Sequence, residues 1–354
     1  MDPKKLDGST RDGRLEIDAV HILLEKLGMH PADLLDHDAT RISSPIFAEY
    51  VPKVAESATP GARRVYTPYW TRIIDRWGAR RLDEPSPSEI RQFAGQIRAQ
   101  AVTRRNSRGG RSAEEHFIGA MRCIYAHAVA DRLITKDADP ARLVPKPRRL
   151  PSTRRAVPDS RLAEISHVVA TTGNDPILDS LLLRLHVESA CRRGGALALR
   201  PRDLDREQCL IFLREKGGTV RWQPVSPTLM AHLVAHADQR GPQDPDAPLL
   251  RYASGRPITA RRYDYLWNRV GRHLPWSATQ QISIHWIRHT TLKWVERNFG
   301  YAVARAYAGH TDRGHEPSAT TTYIRADLDE VATALSALTG EPHPLTEQAD
   351  AEGW

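Results

Sequence analysis

His285-Trp286-Ile287-Arg288-His289-Thr290 places a histidine and an arginine three residues apart in a helical stretch, so both fall near one face, with the apolar Trp286 and Ile287 turned to the core. Upstream the period changes. Residues 209–213 and 219–225 are short β-prone runs around Lys216-Gly217-Gly218, which predicts a β-hairpin among helices. Further upstream, Leu178, Leu181, Leu182 and Leu185 mark a buried helix running into Ser189-Ala-Cys-Arg-Arg-Gly-Gly-Ala-Leu-Ala-Leu-Arg200, with a turn at Arg193-Gly194-Gly195. Downstream, an apolar helix over 301–307 leads into Ala308-Gly309-His310, and Thr320-Thr-Thr-Tyr323-Ile-Arg precedes a last helix over 327–338. With further helical periods at 227–237, 260–273 and 287–299, this half of the chain reads as mainly α with a small β-sheet.

The first half reads as a helical bundle. Phe47, Tyr50 and Val54 form one helical face before a break at 58–61, and Tyr66, Trp70, Ile73, Ile74 and Trp77 form a buried stripe with Arg72, Asp75 and Arg76 outward. Ser86-Pro87-Ser88-Glu89 combines a capping box with proline at the first helical position, ahead of Ile90, Phe93, Ala94 and Ile97. A second box is read at Ser112 to Glu115, opening a helix that buries Ile118, Met121, Tyr125, Ala128 and Val129. The loop between these helices carries Arg104, Arg105, Arg108 and Arg111, and reads either as a phosphate contact or as a solvated loop.

Residues 144–155 hold three prolines and five basic residues, Lys146, Arg148, Arg149, Arg154 and Arg155, with no acid and no apolar period. That is a linker, and its charge fits it to lie along a DNA backbone. The expected domains are an N-terminal extension (1–43) whose role as DNA-arm or protein contact stays open, a helical domain (44–143), the basic linker (144–158), a second domain (159–340) and a mobile tail (341–354).

Composition narrows the partners. Lys and Arg number 51 against 43 Asp and Glu, a formal net charge of +8, which favours an anionic partner. No run approaches the length of apolar sequence that crosses a bilayer, and no signal peptide is read, so a soluble cytoplasmic protein is expected, with no membrane partner. The three cysteines, Cys123, Cys191 and Cys209, show no metal-ligand spacing, and reduced thiols without a structural metal are expected.

Taken in order, the arginine of the 189–200 segment, a hairpin lysine, His285-x-x-Arg288, Gly309-His310 and Tyr323 resemble the tyrosine recombinase, or phage integrase, family, and the likeness extends over about residues 45–338. The resemblance implies a helical core-DNA-binding domain and a tyrosine-recombinase catalytic domain closing as a C-shaped clamp on double-stranded DNA. It implies a nucleoid-associated homotetramer working through a Holliday junction on specific sites, with accessory directionality or DNA-bending proteins as possible partners. It also implies Tyr323 as nucleophile, Arg192 and Arg288 as phosphate clamps, Lys216 as general acid, His285 as proton-transfer partner and His310 as a further phosphate donor.

The chemistry accounts for that set. A phosphodiester repels nucleophiles, and its transition state gathers more charge on the nonbridging oxygens, so permanently charged planar guanidinium groups belong there. A phenol with an ordinary pKa of about 10 needs a cationic field to attack at neutral pH. The 3′-phosphotyrosyl bond keeps the energy of the broken linkage, so no cofactor is expected.

Alternatives stay open at three positions: Arg193 beside Arg192, Arg214 or Arg221 near Lys216, and the second Gly-His pair, Gly314-His315, for His310. The family commonly carries an acidic residue three places after its first arginine, where this chain has Gly195; some other group must orient Arg192. Integration or excision of a mobile element is the first functional reading and a resolvase the second. A type IB topoisomerase-like enzyme and a catalytically silent DNA-binding regulator are the rivals.

Overall fold

The computed structural model describes residues 19–28, 44–102, 108–148, 150, 155–215, 218–241, 244–310 and 327–346. Tyr323, Lys216, His315, Arg104, Arg105, Arg149, Arg154 and the Arg108 side chain lie outside the described residues. The chain forms two compact units that meet in sequence at Pro151 and Ser152, inside the linker.

The first unit contains α1 (Phe47–Ser57), α2 (Pro60–Trp77), α3 (Pro87–Ala99) and α4 (Arg111–Ala130). Proline at the first position starts α2 and α3, where its missing N–H costs nothing. The Ser86 box is complete: Glu89 N–H donates to Ser86 Oγ at 3.2 Å and Ser86 N–H to Glu89 Oε2 at 2.8 Å. The box read at Ser112 does not form. Gly110, left-handed at φ 75°, is the N-cap of α4, so Ser112 falls inside the first turn. A Cβ at Gly110 would sit 2.4 Å from the Arg98 carbonyl oxygen, so the close approach to α3 decides where α4 begins. Phe47, Trp70, Ile73, Ile90, Phe117, Met121 and Tyr125 form the core, and the Tyr125 hydroxyl donates to the Leu82 carbonyl at 2.8 Å.

In the second unit, α5 (Asp159–Thr171), α6 (Pro176–Ser189) and α7 (Arg193–Leu197) precede an antiparallel sheet of β1 (Leu204–Asp205), β2 (Leu210–Arg214) and β3 (Val220–Pro224). Then follow α8 (Pro227–Arg240), α9 (Ala260–His273), α10 (Pro275–Gln280), α11 (Ile284–Tyr307) and α12 (Leu328–Thr339). Helix α6 is buried along most of its length, with Leu178, Leu181, Leu182 and Leu185 in the core together with the polar Asp179, His186 and Glu188.

The helices expected at 287–299 and 301–307 both form within α11, separated by a non-helical break at Gly300 (φ 84°, ψ 173°), and Tyr301 just after the break is 66% exposed. The apolar stripe of α12 is covered by its own chain: Val331, Ala334 and Leu335 pack on Val295, Val303 and Tyr307 of α11. In place of a tail free from residue 341, residues 341–346 are anchored. Glu341 accepts from Arg184 at 2.6 Å and from Thr228 N–H at 3.1 Å, and buried His343 meets the Cys209 carbonyl at 3.2 Å. Among the described residues, no helix is long and apolar enough to cross a membrane.

Candidate active site

Arg192 follows the turn that ends α6. Ala190 adopts a left-handed conformation (φ 47°), which for alanine costs about 1 kcal/mol, and the turn leaves its carbonyl to accept from the Arg288 guanidinium. His186 braces the same turn: its Nδ1 lies 3.1 Å from the Cys191 carbonyl and its Nε2 2.9 Å from the Tyr263 hydroxyl. Burial pushes the His186 pKa down to about 4, so the ring is neutral at pH 7. The carbonyl can only accept, so Nδ1 carries the proton and Nε2 accepts from Tyr263.

Arg192 and Arg193 are separated by their partners. Arg193 lies 3.9 Å from Asp264 on α9, whereas Arg192 turns to Glu215 at the end of β2, its N–H donating to Glu215 Oε1 at 2.6 Å and its Nη1 to Oε2. Arg221 from β3 donates to the same Oε2 at 2.9 Å, and Arg288 Nη1 is 3.9 Å from Oε1. Arg214 is engaged elsewhere, forming two bonds to Asp203 at 2.5 and 2.7 Å.

Arg288, on α11, is buried. Besides Ala190 it donates to the Ala308 carbonyl at 2.7 Å, joining the Arg192 turn to the end of α11. Burial, with Arg192 and Arg221 nearby, lowers its pKa to about 10 against the opposing pull of Glu215. Two of its five N–H donors serve these carbonyls.

His310 follows Gly309, whose backbone is left-handed (φ 62°) and whose absent Cβ would stand 2.5 Å from Arg221 Nη1. Partial desolvation and the charges of Arg288, Arg192, Arg305 and Arg221 push the His310 pKa below the usual imidazole range. His285 is exposed in the first turn of α11, one turn before Arg288. The structure thus brings Arg192, Arg288 and His310 into one cationic neighbourhood, with His285 on the helix that carries Arg288.

The predicted backbone-binding residues do not gather in this way. Lys146, Arg148 and Arg155 are exposed on the linker, and Arg111 is half-buried at the start of α4. Among the described residues, no group of three or more His, Cys, Asp or Glu side chains is placed to hold a metal ion.

Sequence reasoning missed Glu215 and left Arg221 only as a rival to Lys216. The signal for Glu215 was alternation: Ile211 and Leu213 face the core, and two residues on Glu215 shares that face. Burial alone would raise its pKa. Arg221, the Arg192 N–H and the guanidinium groups of Arg288 and Arg192 outweigh that and hold the carboxyl below its usual range.

A mainly helical unit with a three-stranded antiparallel sheet, carrying two arginines and a histidine in motif order, has the make-up of a tyrosine recombinase catalytic domain, and the family match agrees. Residues 159–328 match the model of the phage integrase family, so the second unit carries a domain of that family. No curated protein matches the sequence. Among solved structures, the fold is similar to a lambda integrase tetramer bound to a Holliday junction, at 12% identity and a TM-score of 0.58, covering 84% of this chain and 86% of that one. It is also similar to the Tn1549 transposon integrase in complex with circular intermediate DNA, at 15% identity and a TM-score of 0.59, covering 80% of this chain and 96% of that one.

Proposed function

We propose that this protein cleaves and rejoins double-stranded DNA at specific sites through a 3′-phosphotyrosyl bond at Tyr323, serving integration or excision of a mobile element. The observation that carries the reading is the convergence of Arg192 and Arg288 on one buried carboxylate, with His310 in the same field. Such a cluster holds more positive charge than Glu215 neutralises, and the surplus suits a phosphate.

In the proposed reaction, the Tyr323 oxygen attacks phosphorus while Arg192 and Arg288 donate to the nonbridging oxygens, with His310 as a third donor. The phosphorus bond to the 5′ oxygen breaks, and Lys216 protonates that oxygen, with His285 assisting proton movement. Attack by a 5′ hydroxyl of a partner strand reverses the sequence and restores a phosphodiester. The basic linker would lie along the DNA backbone. Because a lambda integrase with this fold is a tetramer bound to a Holliday junction, we extend tetrameric strand exchange to this chain. Accessory directionality proteins would act on that assembly.

The test is a suicide substrate. A duplex selected from random-sequence DNA by binding to the full chain, then nicked beside the scissile phosphate, loses its leaving strand and blocks rejoining. A covalent protein–DNA adduct is expected, and Tyr323→Phe should abolish it. An adduct that survives the substitution refutes the nucleophile, and relaxation of a plain supercoiled plasmid without a selected site would favour a topoisomerase.

A further inference from the structure

We propose that Glu215 is the positioning carboxylate of this active site, supplied from the end of β2 in place of the acid missing at Gly195. The inference rests on the recombinase reading above and concerns how its arginines are held.

Space gives the first argument. Gly195 is buried in α7, and its backbone is not in the left-handed region, so conformation does not demand glycine there. A Cβ at this position would lie 3.2 Å from Glu215 Cγ and 3.4 Å from its Oε1. The Glu215 side chain therefore fills the volume that a side chain at 195 would enter. An acid at one position leaves little room for an acid at the other.

Bonding gives the second. Glu215, with a side chain 1% exposed, accepts from both the backbone and the guanidinium of Arg192, accepts from Arg221 and lies 3.9 Å from Arg288. A carboxylate is an acceptor only, so it repels a phosphate and cannot serve as a donor to it. Its action runs through the arginines. It occupies one edge of the Arg192 guanidinium, fixing which donors remain for the substrate. It also ties the hairpin to the Arg192 turn: Glu215 N–H donates to the Thr219 carbonyl at 2.8 Å across the hairpin turn, and Glu215 immediately precedes Lys216. One buried group thus sets an arginine clamp and the strand end that leads to the general acid.

The test moves the carboxylate. Single-turnover cleavage of the selected suicide duplex is compared for the wild-type full chain, Glu215→Gln, Glu215→Ala, and Glu215→Ala combined with Gly195→Glu, with Tyr323→Phe as the blank. Thermal unfolding and duplex affinity are measured alongside. Glu215→Gln, which keeps the shape and removes the charge, should lower the cleavage rate roughly 100-fold, the scale on which a misaligned catalytic group acts. The relocated variant should recover at least about tenfold over Glu215→Ala. A relocated variant that melts like the wild type yet cleaves no better than Glu215→Ala overturns the proposal, because a purely structural role predicts that result. So does Glu215→Gln cleaving at the wild-type rate, or a relocated variant that regains neither folding nor cleavage. If the wild type itself forms no adduct, the recombinase reading fails, which is a different result from any of these.

Discussion

Arg288→Lys separates a guanidinium from a point charge at the place where the structure asks most of the side chain. Arg288 reaches the carbonyls of Ala190 and Ala308 together with a planar guanidinium that carries three further N–H donors. A lysine ammonium at the same depth cannot span both carbonyls and also face a phosphate. Losing one buried charge-assisted bond costs about 2 kcal/mol of stability, and losing one transition-state donor lowers cleavage roughly 100-fold. The substitution also carries a pH signature. Burial and the neighbouring arginines bring the Arg288 pKa from 12.5 to about 10. The same burial and neighbouring charges would also lower the pKa of a lysine placed there. A base with a depressed pKa loses its charge as pH rises through the folded value, so the deficit of Arg288→Lys relative to wild type should widen as the pH is raised above neutrality. Single-turnover cleavage of the suicide duplex across that range, with urea unfolding in parallel, measures both effects. A ratio that stays constant with pH, or a variant within about threefold of wild type at neutral pH, would refute the reasoning.

Two further outcomes follow from the surroundings of the site. Gly309→Ala should lose about 1–2 kcal/mol from its left-handed backbone. Because its Cβ would also meet Arg221 2.5 Å away, it should lower cleavage on the order of 100-fold as well. Gly340→Ala, at φ 72° with open space around it, is the control that should lose stability alone, and equal cleavage by the two variants would count against the close approach. The second outcome concerns pH. Burial pushes the pKa values of His186 and His236 down to about 4 from an unfolded 6.5, so the unfolded chain binds protons first as pH falls. Their contribution is fully present above about pH 6.5 and is lost through the window down to about 4, the loss reaching about 2 kcal/mol per histidine by pH 5. Urea unfolding at pH 7 and pH 5 checks this, and equal stabilities would rule out two neutral buried rings.

The fold was legible where local signals agree with tertiary packing. The four leucines of α6 sit at helical spacing and are buried, and the Ser86 box forms as written because its partners are three residues apart. It was illegible where a distant contact decides. Ser112 to Glu115 carries the residues of a capping box, but the approach of Gly110 to Arg98 starts α4 earlier. Nothing within 341–346 announces an anchor, since Glu341 is held by Arg184 and Thr228 and His343 by Cys209, each more than a hundred residues away in sequence.

The site divides along a different line. Arg192, Arg288 and His310, which the structure brings into one neighbourhood, could be picked out of the sequence because the chemistry proposed for them leaves few substitutes for a guanidinium or an imidazole, and such residues stand in a fixed order along the chain. A carboxylate that steadies an arginine is less constrained. Any element passing that point can supply it, provided the position it replaces gives up its side chain. Gly195 and Glu215 form such a pair: one is empty where the other fills, and their separation in sequence hides a contact of 3.2 Å from a Cβ at 195 to Glu215 Cγ. A glycine where a family expects an acid then has a structural meaning. It marks the place to search for the carboxylate that arrives from elsewhere, and here that search ends on a hairpin residue that the sequence presents as an ordinary turn glutamate.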